Sequence, residues 1–232
     1  MNLPDVDAVI LCGGLGTRLR PVIADGQKTM TDVGGRPFLG IVVDWLRSQG
    51  SRRIVFCCGH RAKDVEAYFL GRFADAETIF SVEPVPLGTA GALKNAENFL
   101  KSDTILLVNG DSFCPIDLDP LLERHLERRA AVTIVTVEPE SRRDGGYLRA
   151  DGSGRVTSFA EKAFFEGAAL NAGIYLIERS VLADIPRDKP ASLEKETFPS
   201  LLTRGVFTHP AHSPLFDIGT PERLVRFREV QA

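Results

Sequence analysis

Through its first 137 residues the chain alternates short apolar runs with amphipathic segments of helix length. The runs are Asp7–Leu11, Arg53–Cys58, Thr78–Val82, Thr104–Asn109 and Ala131–Val137. A run such as TILLVN (Thr104–Asn109) has no polar face, so it belongs to a strand covered above and below. Between the runs, Pro37–Ser48 places Phe38, Ile41, Val42, Trp45 and Leu46 at helical spacing and stops at Gly50. Lys63–Phe73 and Ala90–Leu100 read as the next helices, and Leu118–Arg129 gathers Leu118, Leu121, Leu122 and Leu126 on one face. Such alternation builds a mainly parallel central sheet between two helical layers. The expected fold class is therefore α/β: a Rossmann-like three-layer α/β/α sandwich.

The pattern changes after Val137. Glu138–Gly154 is rich in charge and glycine, short strands are predicted at Arg155–Phe159 and Ala172–Ile177, and the last helices at Leu193–Arg204 and Thr220–Val230. No repeat or linker divides the 232 residues, so one domain over 1–232 is expected. Lys and Arg are scattered among Asp and Glu with a net charge of −3, which argues against a nucleic-acid partner. No stretch has the length and apolarity of a membrane span, and no charged leader precedes an apolar segment, so the reading is cytoplasmic with no membrane partner. Cys12, Cys57, Cys58 and Cys114 form no CxxC pair and read as small buried thiols. His209 and His212 flank Pro210 without a companion ligand cluster, which disfavours a metal role. Self-association is left open.

The first strand runs into CGGLGTRLRP (Cys12–Pro21). A dinucleotide fingerprint would need a third glycine where Leu19 stands, and no G-x-x-x-x-G-K-[ST] run exists. What remains fits an anion: Gly13, Gly14 and Gly16 bare the backbone, Thr17 offers a hydroxyl and Arg18 a fork of donors. Asp111 lies just past the carboxyl end of a buried strand, where open α/β sheets bind ligands. Alone, it reads equally well as a turn former.

GGLGTRL followed by Lys28 in GQKTM resembles the signature of the sugar-1-phosphate nucleotidyltransferases, GGxGTRL…PKP, with Gln27 and Thr29 where that pattern has prolines. Four further motifs match in order: EPVPLGTAGAL (Glu83–Leu93), VNGDSF (Val108–Phe113), SFAEK with LNAGIY (Ser158–Lys162, Leu170–Tyr175), and FDIGTPE (Phe216–Glu222). The resemblance implies a fold of the nucleotide-diphospho-sugar transferase type and transfer of a nucleotidyl group from an NTP to a sugar 1-phosphate, with release of pyrophosphate. It implies Mg²⁺ on Asp111 and Asp217, with Arg18, Lys28 and Lys162 on the phosphates. By the same resemblance Leu11, Gly13, Gly14, Gly16, Thr17, Arg18, Glu83, Gly88, Thr89 and Gly110 hold the nucleotide. Asn109, Gly146, Glu161, Lys162, Asn171 and Gly173 hold the sugar, and Gly145 stands where the family has the tyrosine of a Tyr-Gly pair.

Glu83 aligns with a base-contacting glutamine of thymidylyl enzymes. A carboxylate only accepts, which suits the adjacent N1–H and N2–H₂ donors of guanine, and equally the backbone N–H groups of its own loop. The chain is most similar to the short members that join GTP to D-glycero-D-manno-heptose 1-phosphate, and no hexapeptide repeat of the appended β-helix acyltransferase type follows. Mannose-1-phosphate guanylyl- and N-acetylmuramate-1-phosphate uridylyltransferases share the motifs. A non-catalytic sugar-nucleotide-binding regulator is a reading of another class. A sugar-nucleotide-consuming glycosyltransferase would usually end a strand in Asp-x-Asp, whereas DLD at 117–119 fits helix capping.

Overall fold

The computed structural model describes residues 2–14, 16, 19, 26–139, 145–161 (Glu161 by its backbone only) and 164–231. In chain order it contains β1 (Asp7–Leu11), the hairpin β2 (Asp32–Val33) and β3 (Arg36–Pro37), α1 (Phe38–Ser48), β4 (Arg53–Cys58), α2 (Ala62–Phe69), β5 (Glu77–Val82), α3 (Gly88–Asn95) and β6 (Thr104–Asn109). Then come β7 (Ser112–Phe113), α4 (Asp119–Arg128), β8 (Val132–Val137), β9 (Gly146–Ala150), β10 (Val156–Glu161), β11 (Ala169–Glu178), β12 (Val206–Pro210), β13 (Phe216–Asp217) and α5 (Pro221–Gln231).

The main sheet runs β10-β9-β11-β6-β1-β4-β5, with β8 on β11 and β12 on β8. From β5 to β6 every pairing is parallel, as the apolar runs required. β11 reverses the direction, lying antiparallel to β6, β8 and β9, so the sheet is mixed. The alternation of side chains sorts the core into two layers. Ala8, Ile10, Ile54, Phe56, Leu106 and Val108 face one cluster with α1, α2 and α5, while Val9, Val55, Cys57, Ile105 and Leu107 face the other with α3. Each such side chain, fully buried, contributes roughly 1.5–3 kcal/mol. Phe38 of α1 meets Phe227 of α5 edge-on at 5.0 Å, joining the two helices that share a layer.

Asp7 pins the amino-terminal end of the sheet. Its Oδ2 accepts from the backbone N–H groups of Lys101 and Ser102 and from the Ser102 hydroxyl, and its Oδ1 lies 3.0 Å from Arg53 Nε. The carboxylate is nearly inaccessible and saturated, which is how a buried charge is tolerated.

Several elements differ from the sequence expectation. The helix read over Lys63–Phe73 ends at Phe69, because Leu70 turns extended and Gly71 enters the left-handed region at φ +68°. The third helix begins at Gly88 and ends at Asn95, followed by a 3₁₀ turn over Glu97–Phe99. Leu193–Arg204 is not one helix. It opens as a π turn over Leu193–Thr197, continues as Phe198–Ser200, and resumes at Leu202–Gly205. Pro199 cannot donate the α-type bond back to Lys195, and Ser192 holds the π turn by accepting the Lys195 N–H on its hydroxyl. β9 and β12 were not read from the sequence. GYLRA sits among glycines and charges, and VFTHP carries Thr, His and Pro. β12 pairs only with β8, and an edge position tolerates its Pro210. Helix α4 starts as expected, the N–H of Asp119 reaching Asp117 Oδ1 at 3.1 Å.

Candidate active site

A cavity of about 310 Å³ opens at the carboxyl ends of β1, β4 and β6. That volume lies at the lower edge of the range for small-molecule sites, roughly 300–1,000 Å³. Of the expected nucleotide residues, Leu11, Gly13, Gly14, Glu83, Gly88 and Thr89 line it, together with Lys28, Asn109 and Asp111. Cys12, Thr29, Cys57, Pro86 and Ala92 complete the wall, none of them expected there. Five segments separated by up to a hundred residues thus meet at one place. Thr17, Arg18 and Lys162 lie outside the described residues, as does the side chain of Glu161.

Glu83 ends the second motif's strand, and its Oε2 accepts the Leu87 N–H at 3.1 Å. Partial burial pushes its carboxyl above the usual range, partly offset by that hydrogen bond. The second oxygen is wedged between two backbones. A Cβ on Gly13 would come within 2.9 Å of Glu83 Oε1, and one on Gly59 within 2.5 Å. Gly13 is therefore required by Glu83 packing, while a Cβ on Gly14 would meet no described atom within 4 Å and would point into open space.

Helix α3 presents its first turn to the cavity, but part of that turn is already capped. The Ala191 carbonyl accepts from Ala90 at 3.0 Å and from Gly91 at 3.4 Å. Thr89 donates its hydroxyl to Glu194 Oε2 at 2.8 Å and accepts the Leu193 N–H at 2.8 Å. Glu194 also accepts from Ser192 at 3.0 Å and, on Oε1, from the Tyr175 hydroxyl at 3.4 Å, while Asn171 Nδ2 donates to that hydroxyl at 2.9 Å. A hydrogen-bonded line thus runs from the expected nucleotide loop to the expected sugar residue Asn171 through Glu194, a residue the sequence had hidden inside a predicted helix. Tyr175 is fully buried, and burial with the Glu194 carboxylate holds its phenol well above the usual value.

Asn109 sits where β6 ends. Its Oδ1 is buried without a hydrogen-bond partner among the described residues, and the residue lines the cavity. Gly173 packs on it. At φ +76°, in the register shift between β11 and β8, Gly173 leaves no room for a Cβ, which would lie 2.7 Å from Asn109 Nδ2. Gly146 stands apart, beside Tyr147, Asn171 and Glu194 in a much smaller pocket. Gly110 donates to the Leu11 carbonyl at 2.9 Å and so ties β6 to the glycine loop. Gly16 lies in that loop at φ +57°.

The pairing of β7 with β13 brings the backbones of Asp111 and Asp217 close together. Asp217 is opposite Ser112, and the Ile218 N–H donates to the Asp111 carbonyl at 3.0 Å. Asp111 Oδ2 meets Lys28 Nζ at 2.6 Å, and Asp217 Oδ1 accepts from Gly219 N–H at 2.8 Å and from Arg223 at 3.2 Å. No group of three or more His, Cys, Asp and Glu that would enclose a metal occurs among the described residues. Asp111 lines the cavity, whereas Asp217 is not among its lining residues; the Asp111 carboxylate offers a hard oxygen there to a cation that keeps waters and shares phosphate oxygens, which is the habit of Mg²⁺. The four cysteines are free and buried. Burial and the nearby Cys58 and Glu83 raise the Cys57 thiol far above its ordinary value, so the thiol on the cavity wall stays protonated.

A mixed α/β sheet with a glycine loop, a lysine and an aspartate around one cavity is matched along almost its whole length by a family model, "Nucleotidyl transferase", over residues 7–230. The chain belongs to that family. It is 35% identical over 231 residues to "Mannose-1-phosphate guanylyltransferase" of Mycobacterium tuberculosis, covering 97% of this chain and 64% of that one. It is 32% identical over 227 residues to "D-glycero-alpha-D-manno-heptose 1-phosphate guanylyltransferase" of Campylobacter jejuni, covering 96% and 98%. The solved structure of HddC from Yersinia pseudotuberculosis superposes with a TM-score of 0.87 at 31% identity, covering 98% of this chain and all of that one. HddC complexed with GMP-PN gives 0.85. Among the described residues no helix is long and apolar enough to cross a membrane.

Proposed function

We propose that the protein is a sugar 1-phosphate guanylyltransferase that joins GTP to D-glycero-α-D-manno-heptose 1-phosphate, releasing pyrophosphate and yielding GDP-heptose. The observation that carries this is the cavity itself, where the glycine loop, Lys28, Glu83, Asn109 and Asp111 converge. Relatives bearing heptose and mannose names, and a neighbouring structure described with a guanine nucleotide analogue, support the reading.

The reaction joins two polyanions, so the protein's work is charge neutralisation and in-line positioning. Gly14 lets the triphosphate approach the backbone, and Lys28 with Arg18 holds the β- and γ-phosphates that leave. Glu83 accepts from the guanine edge. Lys162 orients the sugar phosphate, and Asn109 holds the sugar together with Asn171, Gly146, Gly173 and Glu161. The sugar phosphate is ionised at neutral pH and needs no general base. Mg²⁺ on Asp111 and Asp217, when bound, supplies positive charge at the phosphates.

The test is a grid of purified protein with each NTP against heptose, mannose and N-acetylmuramate 1-phosphates, read by pyrophosphate release. GTP with the manno-configured heptose should give the highest kcat/KM. A preference for mannose 1-phosphate would move the protein to the function named for its mycobacterial relative. No turnover with any pair, alongside retained nucleotide binding, would establish the regulatory reading.

A further inference from the structure

Lys28 is flanked by Gln27 and Thr29 rather than by two rigid residues, yet it is among the best-anchored side chains of the site. Gln27 is 3% exposed and both the oxygen and the nitrogen of its amide are engaged. Its Oε1 accepts from Thr29 N–H, from the Thr29 hydroxyl at 2.7 Å and from Met30 N–H at 3.2 Å, capping the 3₁₀ turn Lys28–Met30. Its Nε2 donates to the carbonyl of Cys12, the residue before Gly13. Thr31 closes the turn from the other side, its hydroxyl on the Lys28 carbonyl at 2.7 Å. The Lys28 backbone is thereby fixed at both ends, and its amine reaches Asp111 Oδ2.

We infer that Gln27 is a positioning residue for phosphate transfer: its amide joins the Lys28 turn and the glycine loop into one rigid piece, so that lysine and loop meet the triphosphate in fixed register. This rests on the assignment of Lys28 to the phosphates. The two sides of the amide do separate work. The oxygen side holds the turn, while the nitrogen side ties it to the loop by a bond between positions 15 residues apart. Among the described residues no other side chain is placed to do both, because Thr29 and Thr31 act only within the turn.

The geometry also explains why Gln27 and Thr29 belong together. Gln27 has φ −71°, within the range a proline ring enforces. Proline at 27 alone would leave the Thr29 N–H and hydroxyl without their acceptor in a buried place. Proline at 29 alone would remove a donor from the Gln27 oxygen. Both together would remove the Thr29 donors and their acceptor at once, leaving the Met30 N–H and the Cys12 carbonyl as the only groups among the described residues to lose their Gln27 partner. The two substitutions are therefore coupled, and a double-mutant cycle reads the coupling directly.

The experiment measures kcat, KM for GTP, dissociation of a non-hydrolysable GTP analogue and thermal midpoint for wild type, Gln27→Ala, Gln27→Pro, Thr29→Pro and Gln27→Pro/Thr29→Pro. Wild-type turnover comes first, since its failure would overturn the proposed function and not this inference. Gln27→Ala is expected to lose about 10- to 100-fold in kcat, the scale of a misplacement of the order of an ångström, while its midpoint stays above the assay temperature. Each single proline should lose at least as much, and the double variant should lose less than the product of the single losses yet stay below wild type, because its tie to the Cys12 carbonyl is gone. Wild-type kcat in Gln27→Ala overturns the inference. So does a double variant whose loss is the product of the single losses, and so does a Gln27→Ala whose kcat loss disappears once activity is normalised to the folded fraction.

Discussion

Asp7 at the start of β1 and Asp111, two residues past the end of the neighbouring β6, are both carboxylates beside a basic side chain, and there the likeness stops. Asp7 is buried, with three hydrogen bonds on one oxygen and Arg53 on the other. Asp111 keeps 42% of its side chain exposed and meets Lys28 at the edge of a cavity that Asn109 and the raised carboxyl of Glu83 also line. One end of the sheet has spent its polar groups on itself. The other keeps them under-committed, and a site that must later hold phosphates and hydroxyls needs that reserve.

Substitutions at the two ends should separate stability from activity. Asp7→Ala leaves the Arg53 charge against a buried position and should cost about 3–5 kcal/mol of unfolding free energy, with kcat per folded molecule unchanged; chemical denaturation beside an assay corrected for folded fraction reads both. Asp111→Asn should do the reverse, lowering kcat about 10²- to 10³-fold with a midpoint near that of wild type. If Asp111→Asn instead melts early and turns over normally, the contrast is broken. Gly173→Ala lies between the two, since its Cβ must displace Asn109 in a backbone conformation that costs about 1–3 kcal/mol. Weaker binding of the sugar phosphate together with a lowered midpoint is expected, and an effect on only one of them would place Gly173 at a single end of the comparison.

The smallest effect is a pH dependence. Glu83 is raised above its ordinary range, so at low pH the free protein holds the proton, and a guanine edge that needs the carboxylate must first expel it. Affinity for a guanine nucleotide should therefore rise with pH through the Glu83 titration and level off above it. Glu83→Gln should flatten that slope. A slope that survives in Glu83→Gln would assign it to the nucleotide's own phosphate.

Four of the five apolar runs placed the parallel half of the sheet and the fifth placed β8, almost residue for residue, because side chains buried on two faces leave a strong pattern. β9 and β12 left none: one lies among charges and the other is an edge strand carrying proline. At the site, Lys28, Glu83, Asn109 and Asp111 were legible from the motifs, since each closes a strand or a loop with a recognisable neighbourhood. Gln27 looked like a loss of rigidity in the sequence, and only the reach of its amide to Cys12 shows otherwise. Glu194 was invisible because a π turn with a proline behind it imitates helical periodicity. Gly13 was read as an opening for nucleotide, whereas its neighbour is the side chain of Glu83.

The cap on α3 has a consequence for how the site comes into being. Thr89 and Glu194 are 105 positions apart, and the Ala191 carbonyl closes the same turn. The sheet that carries the glycine loop, by contrast, is assembled from strands already made by Asn109. During synthesis the scaffold therefore precedes its own pocket, and a chain arrested before Ala191 owns the strands but presents an unfinished second loop. Such long-range closure is slow relative to local structure. Completion of the second loop thus waits on a segment more than a hundred residues downstream, and the loop should be the part of the cavity wall to loosen when the segment around Glu194 lets go.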